Sequence, residues 1–366
     1  MTGSDVAIIG GGIIGTSAAA YLAEAGRSVV LYERANLAAA SSGRNSGVLQ
    51  HPFDVHFVPL HEASLALYRE LSEADDGFAL PAGPAGLMLV SLDEAAVTTA
   101  ASALARDWPE LAPAVLPPEL ATALEPALAE GVAACRVETG YPVAPSAATL
   151  AFARRAERAG ARLLIGTEAT PVVESGRVAG VRLGNGDLVT SGQVLIAAGP
   201  WTPALIPGWS QDPFISSLWG VVVSTSLPGR PTHVLEELGI DSQDFRDGRM
   251  FSLVSVGENT SVGSTFLNYE PDPARLAPEI LGRARSFVPG LANGPIESVR
   301  ACARPITRDG RPVIGALPEM DGLFVCAGHG PWGISTGPAS SRLVADQMLE
   351  LDAERVEYTP ARVLRT

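Results

Sequence analysis

SDVAIIGGGIIGTSAAAYLAEAGRSVVLYER, residues 4–34, reads as strand, glycine loop, helix and second strand in one register. Val6-Ala7-Ile8-Ile9 is a short apolar strand that ends at Gly10. Gly10, Gly12 and Gly15 then follow in the spacing G-x-G-x-x-G and open a helix. Gly10 permits the tight turn, Gly12 removes the side chain that would block a pyrophosphate, and Gly15 lets helix and strand pack closely. The free N–H groups and positive dipole end of that helix face the phosphates. A small-residue helix runs to Ala25 and stops at Gly26, and residues 28–32 form the second strand, ending at Glu33. Glu33 lies 23 positions after Gly10, where a carboxylate can accept hydrogen bonds from a ribose diol. The pattern predicts dinucleotide binding without distinguishing NAD from FAD.

The whole chain bounds the rest. At 366 residues it is longer than one compact core usually carries, so two domains are expected. Hydrophobic residues make up 46% and charged residues 18%, enough apolar surface for a sizeable core. A formal net charge of −14 argues against nucleic acid and anionic lipid as partners and leaves small molecules. The uncharged run from Val6 to Ala23 has no basic leader, and glycines 10–12 would break a spanning helix, so neither a signal peptide nor a membrane span is expected. Cys135, Cys302 and Cys326 are far apart and form no C-x-x-C pair. That suits a reducing, cytoplasmic compartment and argues against a structural metal.

After Glu33 the chain leaves the strand–helix repeat. Arg34-Ala35-Asn36-Leu37 leads into Ser41-Ser42-Gly43-Arg44-Asn45-Ser46-Gly47-Val48, polar and glycine-rich, able to bring many backbone N–H groups against a planar ligand. Two later blocks follow: Gly192–Trp201, a buried strand entering a Gly-Pro-Trp turn, and Arg304–Gly315 with Gly322–Ile334, a strand entering the loop Gly328-His329-Gly330. Taken together these blocks resemble the D-amino acid oxidase superfamily of FAD-dependent oxidoreductases, especially its glycine oxidase, sarcosine oxidase and D-amino acid dehydrogenase branches. The resemblance spans nearly the whole chain, with looser matching in the middle.

The fold it implies is α/β: a Rossmann-like FAD-binding domain interleaved with a smaller α+β substrate domain carrying a mixed sheet. The FAD domain is expected at 1–80, 141–210 and 301–366, and the substrate domain at 81–140 and 211–300. Strands are expected near 218–224 and 249–256 and a helix at about 337–349.

The resemblance also implies a site. Cofactor contacts are expected from Gly10, Gly12, Ile14, Gly15, Glu33 and Arg34, and from Ser41, Ser42, Arg44, Asn45, Ser46 and Gly47. Val172, Ala198, Gly199 and Trp201 follow in the middle block, and Arg304, Gly328, His329, Gly330, Gly333 and Ile334 in the last. The catalytic candidates are Arg304, His329 and Arg44. Arg304 would clamp a substrate carboxylate, a task that suits guanidinium geometry. The position of a second arginine in glycine oxidase falls here on Pro331 or Trp332. Cys302 falls where monomeric sarcosine oxidase bonds its flavin covalently, but the R-P form of Arg304-Pro305 goes with non-covalent FAD. His51, His56 and His61 read as structural, and Trp219, Phe251 and Tyr269 as possible pocket residues.

The expected reaction removes a hydride from the α-carbon of an amino acid or N-alkyl glycine, giving an imine that hydrolyses. Oxygen or a quinone would accept the electrons. No protein base is needed in that chemistry. Residues 43–48 also resemble the flavin loop of L-2-hydroxyglutarate oxidase, and a 2-hydroxy acid would need His329 or a neighbour as base. A third alternative is a flavin subunit of a hetero-oligomeric dehydrogenase.

Overall fold

The computed structural model describes residues 3–75, 77–211, 213–239, 248–351 and 355–365. The strand Ser4–Ile9 lies at the centre of a sheet ordered Val313–Ala316, Leu323–Ala327, Leu188–Ile196, Ser4–Ile9, Val29–Glu33, Arg162–Ile165. Ile8 pairs with Leu31 on one side and with Leu195 on the other, both in parallel register. Such a strand is covered on both faces, which is why its apolar run does not alternate. Ile8, Leu31 and Leu195 pack toward Ala18, Phe152, Val344 and Met348 of three helices, while Ala7, Ile9, Val30 and Val194 pack toward Val325, Trp209 and Phe214. This is the Rossmann-like arrangement expected. Ala169–Glu174 and Arg177–Leu183 extend Leu188–Ile196 as an antiparallel meander.

The helix Ile13–Glu24 can sit close to its neighbours because most of its buried residues are small, Gly15, Thr16, Ser17 and four alanines among them. The last helix, Gly333–Met348, begins four residues earlier than the sequence suggested. Gly337 is not a helix stop. A Cβ there would lie 3.0 Å from Ile13 Cγ2, so the glycine lets the two helices approach.

The second sheet runs Ile296–Thr307, Ile215–Thr225, Asn259–Thr265, Arg249–Val256, Val234–Glu237, Leu87–Ser91, Ala133–Val137, Ala114–Leu116. It is mixed, with Val234–Glu237 parallel to Leu87–Ser91. The helix Pro273–Arg285 covers one face through Leu276, Ile280, Leu281 and Ala284, and the other face turns to the first sheet's loops. Ile296–Thr307 pairs with Ile215–Thr225 from end to end, so an expected boundary at 301 would cut a continuous strand. We propose to carry the substrate unit to 307. Among the described residues, no helix is long and apolar enough to cross a membrane.

Candidate active site

A cavity of about 1760 Å³ lies between the two sheets, larger than the ~300–1,000 Å³ of ordinary small-ligand pockets. The glycine loop forms part of its wall. Gly10 adopts φ +118°, and a Cβ there would fall 2.4 Å from Ala197 O. Gly15 has no room for a side chain either, since its Cβ would lie 1.9 Å from Gly10 O. Gly12 precedes the helix Ile13–Glu24 with no side-chain cap of its own, and Ser42 Oγ accepts from Ile13 N at 3.0 Å. Glu33 closes the loop: Oε2 accepts from Gly11 N at 2.7 Å and Oε1 from Ala35 N at 2.8 Å. Gly11 is itself required, because a Cβ would meet Glu33 Cγ and Leu37 Cδ2 at 2.9 Å. On the rim, the Arg34 guanidinium stacks 4.5 Å from the Trp201 ring centroid.

The loop 41–47 is tied to the second sheet. Ser41 Oγ donates to Ala303 O, and Arg44 Nη1 donates to Ala301 O at 3.3 Å. Arg300 returns the contact, with Nε on Arg44 O at 3.2 Å and Nη2 on Asn45 O at 2.9 Å, while its other bonds reach Ser224 and Ser261. Asn45 braces the loop internally, donating to Ser41 O and Ser42 O and accepting from Gly47 N.

Arg304 borders the same cavity. Nη1 donates to Thr265 O at 2.8 Å, Nη2 to Ser264 Oγ at 2.7 Å, and the group lies 4.8 Å from the Phe266 ring centroid. Both acceptors are neutral, and among the described residues no carboxylate pairs with it. Burial pulls its pKa below the usual arginine value. His329 is buried, and burial pushes its pKa down to about 3. Ser340 Oγ is committed to Thr336 O at 3.0 Å, so at 2.9 Å it accepts from His329 Nε2–H. So low a pKa makes the imidazole a weak base.

The cavity wall brings together Gly10, Gly12, Ile14, Glu33, Arg34, Ser41, Ser42, Arg44, Asn45, Ser46, Ala198, Gly199, Trp201, Cys302, Arg304, Gly328, His329, Gly330, Gly333 and Ile334. Three expected contacts are not on it. Gly15 packs helix against strand; Gly47, at φ +91° and with Val143 O 2.6 Å from its would-be Cβ, shapes the loop; and on the strand of Val172 the wall is Ala169 and Thr170. His56 borders the cavity, whereas His51 accepts from Phe53 N and His61 lies 3.4 Å from Ser335 O. Trp219 is on the wall, but Phe251 is core stacked on Phe287 and Tyr269 is exposed. Sequence reasoning missed three further residues on the wall, Arg300, Gln50 and Glu236. Arg300 could have been found, since 300, 302 and 304 alternate along one strand face. The others carry no local signal.

Residues 5–347 match the sequence pattern of the DAO family, described as FAD dependent oxidoreductase. The chain belongs to this family. It is 28% identical to the glycine oxidase of Bacillus licheniformis over 356 residues, 94% of this chain and 93% of that one. It is 30% identical to the glycine oxidase of Geobacillus kaustophilus strain HTA426 over 365 residues, covering 93% and 92%. The crystal structure of a glycine oxidase from Bacillus cereus ATCC 14579 superposes with a TM-score of 0.83 at 26% identity, over 96% of this chain and 99% of that one.

The site of this DAO-family member fits the FAD on which the family depends. The glycine loop on the cavity wall is bare of side chains, which would meet the surrounding protein, and the helices Ile13–Glu24 and Gly333–Met348 both begin on that wall. Two positive helix ends on one cavity favour a ligand that carries phosphate at one point and develops negative charge at another.

Proposed function

We propose that this DAO-family enzyme oxidises an α-amino acid or N-alkyl glycine, with non-covalent FAD held by the glycine loop, Glu33 and the loop 41–46. The observation that carries the reading is Arg304: a half-buried guanidinium on the cavity wall whose hydrogen bonds go to neutral acceptors, leaving its charge for an incoming carboxylate. The bound FAD would accept a hydride from the substrate α-carbon. Arg304 orients that carbon by fixing the carboxylate. Phe266 packs beside the guanidinium and keeps water from its face. The first turn of Gly333–Met348 supplies N–H groups and a positive dipole end where negative charge develops. The neutral His329 bonds to that helix through Ser340 and anchors the 328–330 loop. Its depressed pKa weighs against a 2-hydroxy acid, whose hydroxyl proton needs a base. The sequence similarity to two glycine oxidases supports the amino acid class.

The test is anaerobic mixing of the FAD-loaded protein with glycine, sarcosine, D- and L-amino acids, proline and 2-hydroxy acids. Bleaching by members of the amino acid set is expected. Bleaching by 2-hydroxy acids alone would overturn the proposal.

A further inference from the structure

On the cavity face of the second sheet, a buried acidic side chain borders the same cavity as Arg304. Glu236 borders the cavity and pairs across the sheet with Ser252, which in turn pairs with Gly263, next to the Ser264 that holds Arg304. One strand separates the strand of Glu236 from the strand that anchors the guanidinium, about 10 Å at ordinary strand spacing. Glu236, Ser252, Ser264 and Arg304 all border the cavity, and Arg304 reaches across to Ser264, so this wall carries an acid and a guanidinium with hydroxyls between, although the register of the Glu236 row itself runs through Ser252 and Gly263 to Val222 and Arg300.

Gln50 orients Glu236. Its Nε2 donates to both carboxylate oxygens, at 3.2 and 3.1 Å, while its Oε1 is buried with no hydrogen-bond partner among the described residues. The amide thus presents its NH₂, an arrangement that suits an ionised carboxylate, which only accepts. Gln50 is held in place by Ser335 Oγ, which accepts from its backbone N–H at 3.1 Å.

We propose that Glu236, positioned by Gln50, recognises the nitrogen of the substrate, so that the sheet face reads an amino acid at both ends: carboxylate on Arg304, amino group on Glu236. The inference rests on the amino acid reading above and deepens it. A carboxylate accepts an N–H from an amine or an ammonium and attracts the charged form, whereas a 2-hydroxy acid offers one neutral O–H. Glu236 thus selects nitrogen over oxygen at the α-carbon.

The experiment compares matched pairs, glycine with glycolate, D-alanine with D-lactate and L-alanine with L-lactate, on the FAD-loaded enzyme. Kd values come from flavin spectral perturbation and from saturation of anaerobic reduction. Glu236→Gln should weaken the best amino acid about tenfold to a hundredfold, the loss of a hydrogen bond to a charged group, and leave its hydroxy acid partner within about threefold. Gln50→Leu should act in the same direction through the loosened carboxylate, and Glu236→Asp, which keeps the charge, should retain part of the selectivity. Retained flavin absorbance reports folding; if Glu236→Gln does not hold flavin, the Asp and Leu variants decide. Equal weakening of both members of a pair, or no change in either, would overturn the proposal. A wild-type enzyme that binds no amino acid would overturn the underlying reading instead, and this inference with it.

Discussion

The guanidinium of Arg304 lies directly over Gly220: a Cβ at Gly220 would fall 2.3 Å from Nη2 and 2.5 Å from Cζ. The two strands pair so that Gly220 faces Cys302, and the arginine two residues on folds back across the gap. Gly220→Ala should therefore push the guanidinium off Thr265 O and Ser264 Oγ. Reduction at low substrate should fall about tenfold or more while flavin is retained, from overpacking worth ~1–3 kcal/mol. Stopped-flow reduction checks this; an unchanged rate would show that the arginine moves freely.

Removing the arginine itself separates charge from geometry. Reduction at low substrate should fall in the order wild type, Arg304→Lys, Arg304→Ala, with Ala down by about 2–4 kcal/mol in transition-state terms. The decarboxylated amine should be nearly indifferent to both changes. Equal losses for acid and amine would assign Arg304 to the fold or the flavin.

Glu33 holds Gly11 N and Ala35 N, and in the proposed reading it also accepts from a ribose diol. Glu33→Ala should weaken FAD retention by about 1.5–3 kcal/mol, read from flavin fluorescence on dilution. Unchanged FAD affinity would remove Glu33 from the site.

Cys302 is buried on the strand beside Arg304. With FAD bound non-covalently, acid precipitation should leave the yellow colour in the supernatant, and Cys302→Ser should behave alike. A yellow pellet that turns colourless in Cys302→Ser would reverse the assignment.

Acid stability should depend on Asp75. Arg154, bonded at 2.7 and 3.0 Å, is the main cause that lowers its pKa to about 2, helped by the Gly77 N–H and Arg158. A carboxyl lowered on folding stabilises the native state above its unfolded pKa, and that contribution fades as pH falls from about 4 toward 2. Asp75→Asn should lower stability by about 1–2 kcal/mol at neutral pH, modest because the arginines are half-exposed, and flatten the Tm profile in that window. A variant with the wild-type profile would show that other carboxylates set the acid limit.

What was legible in the sequence was local. Residues 4–34 declare themselves because strand, turn, helix start and acid each depend on near neighbours. Arg304 could be found because a charged residue stands out in the apolar Cys302–Ile306 segment. Gly220, between Trp219 and three valines, looks like ordinary strand filler until the pairing strand brings an arginine over it. Glu236 and Gln50 are 186 residues apart, and their meeting depends on how the second sheet folds against the flavin loop. On the strand of Val172 it is Ala169 and Thr170 that line the cavity, because a strand's identity does not tell which of its residues reaches the wall.

The bonds that run both ways between the strand Ile296–Thr307 and the loop 41–47 have a consequence for how such an enzyme can change. Ser41, Arg44 and Asn45 are fastened to backbone and side chain of a strand that also carries Arg304. The wall around the glycine loop is thus completed by the strand that carries Arg304, so in the proposed reading neither half could be excised or exchanged as a module. Specificity in this scaffold must be rewritten one side chain at a time on a sheet that stays in place.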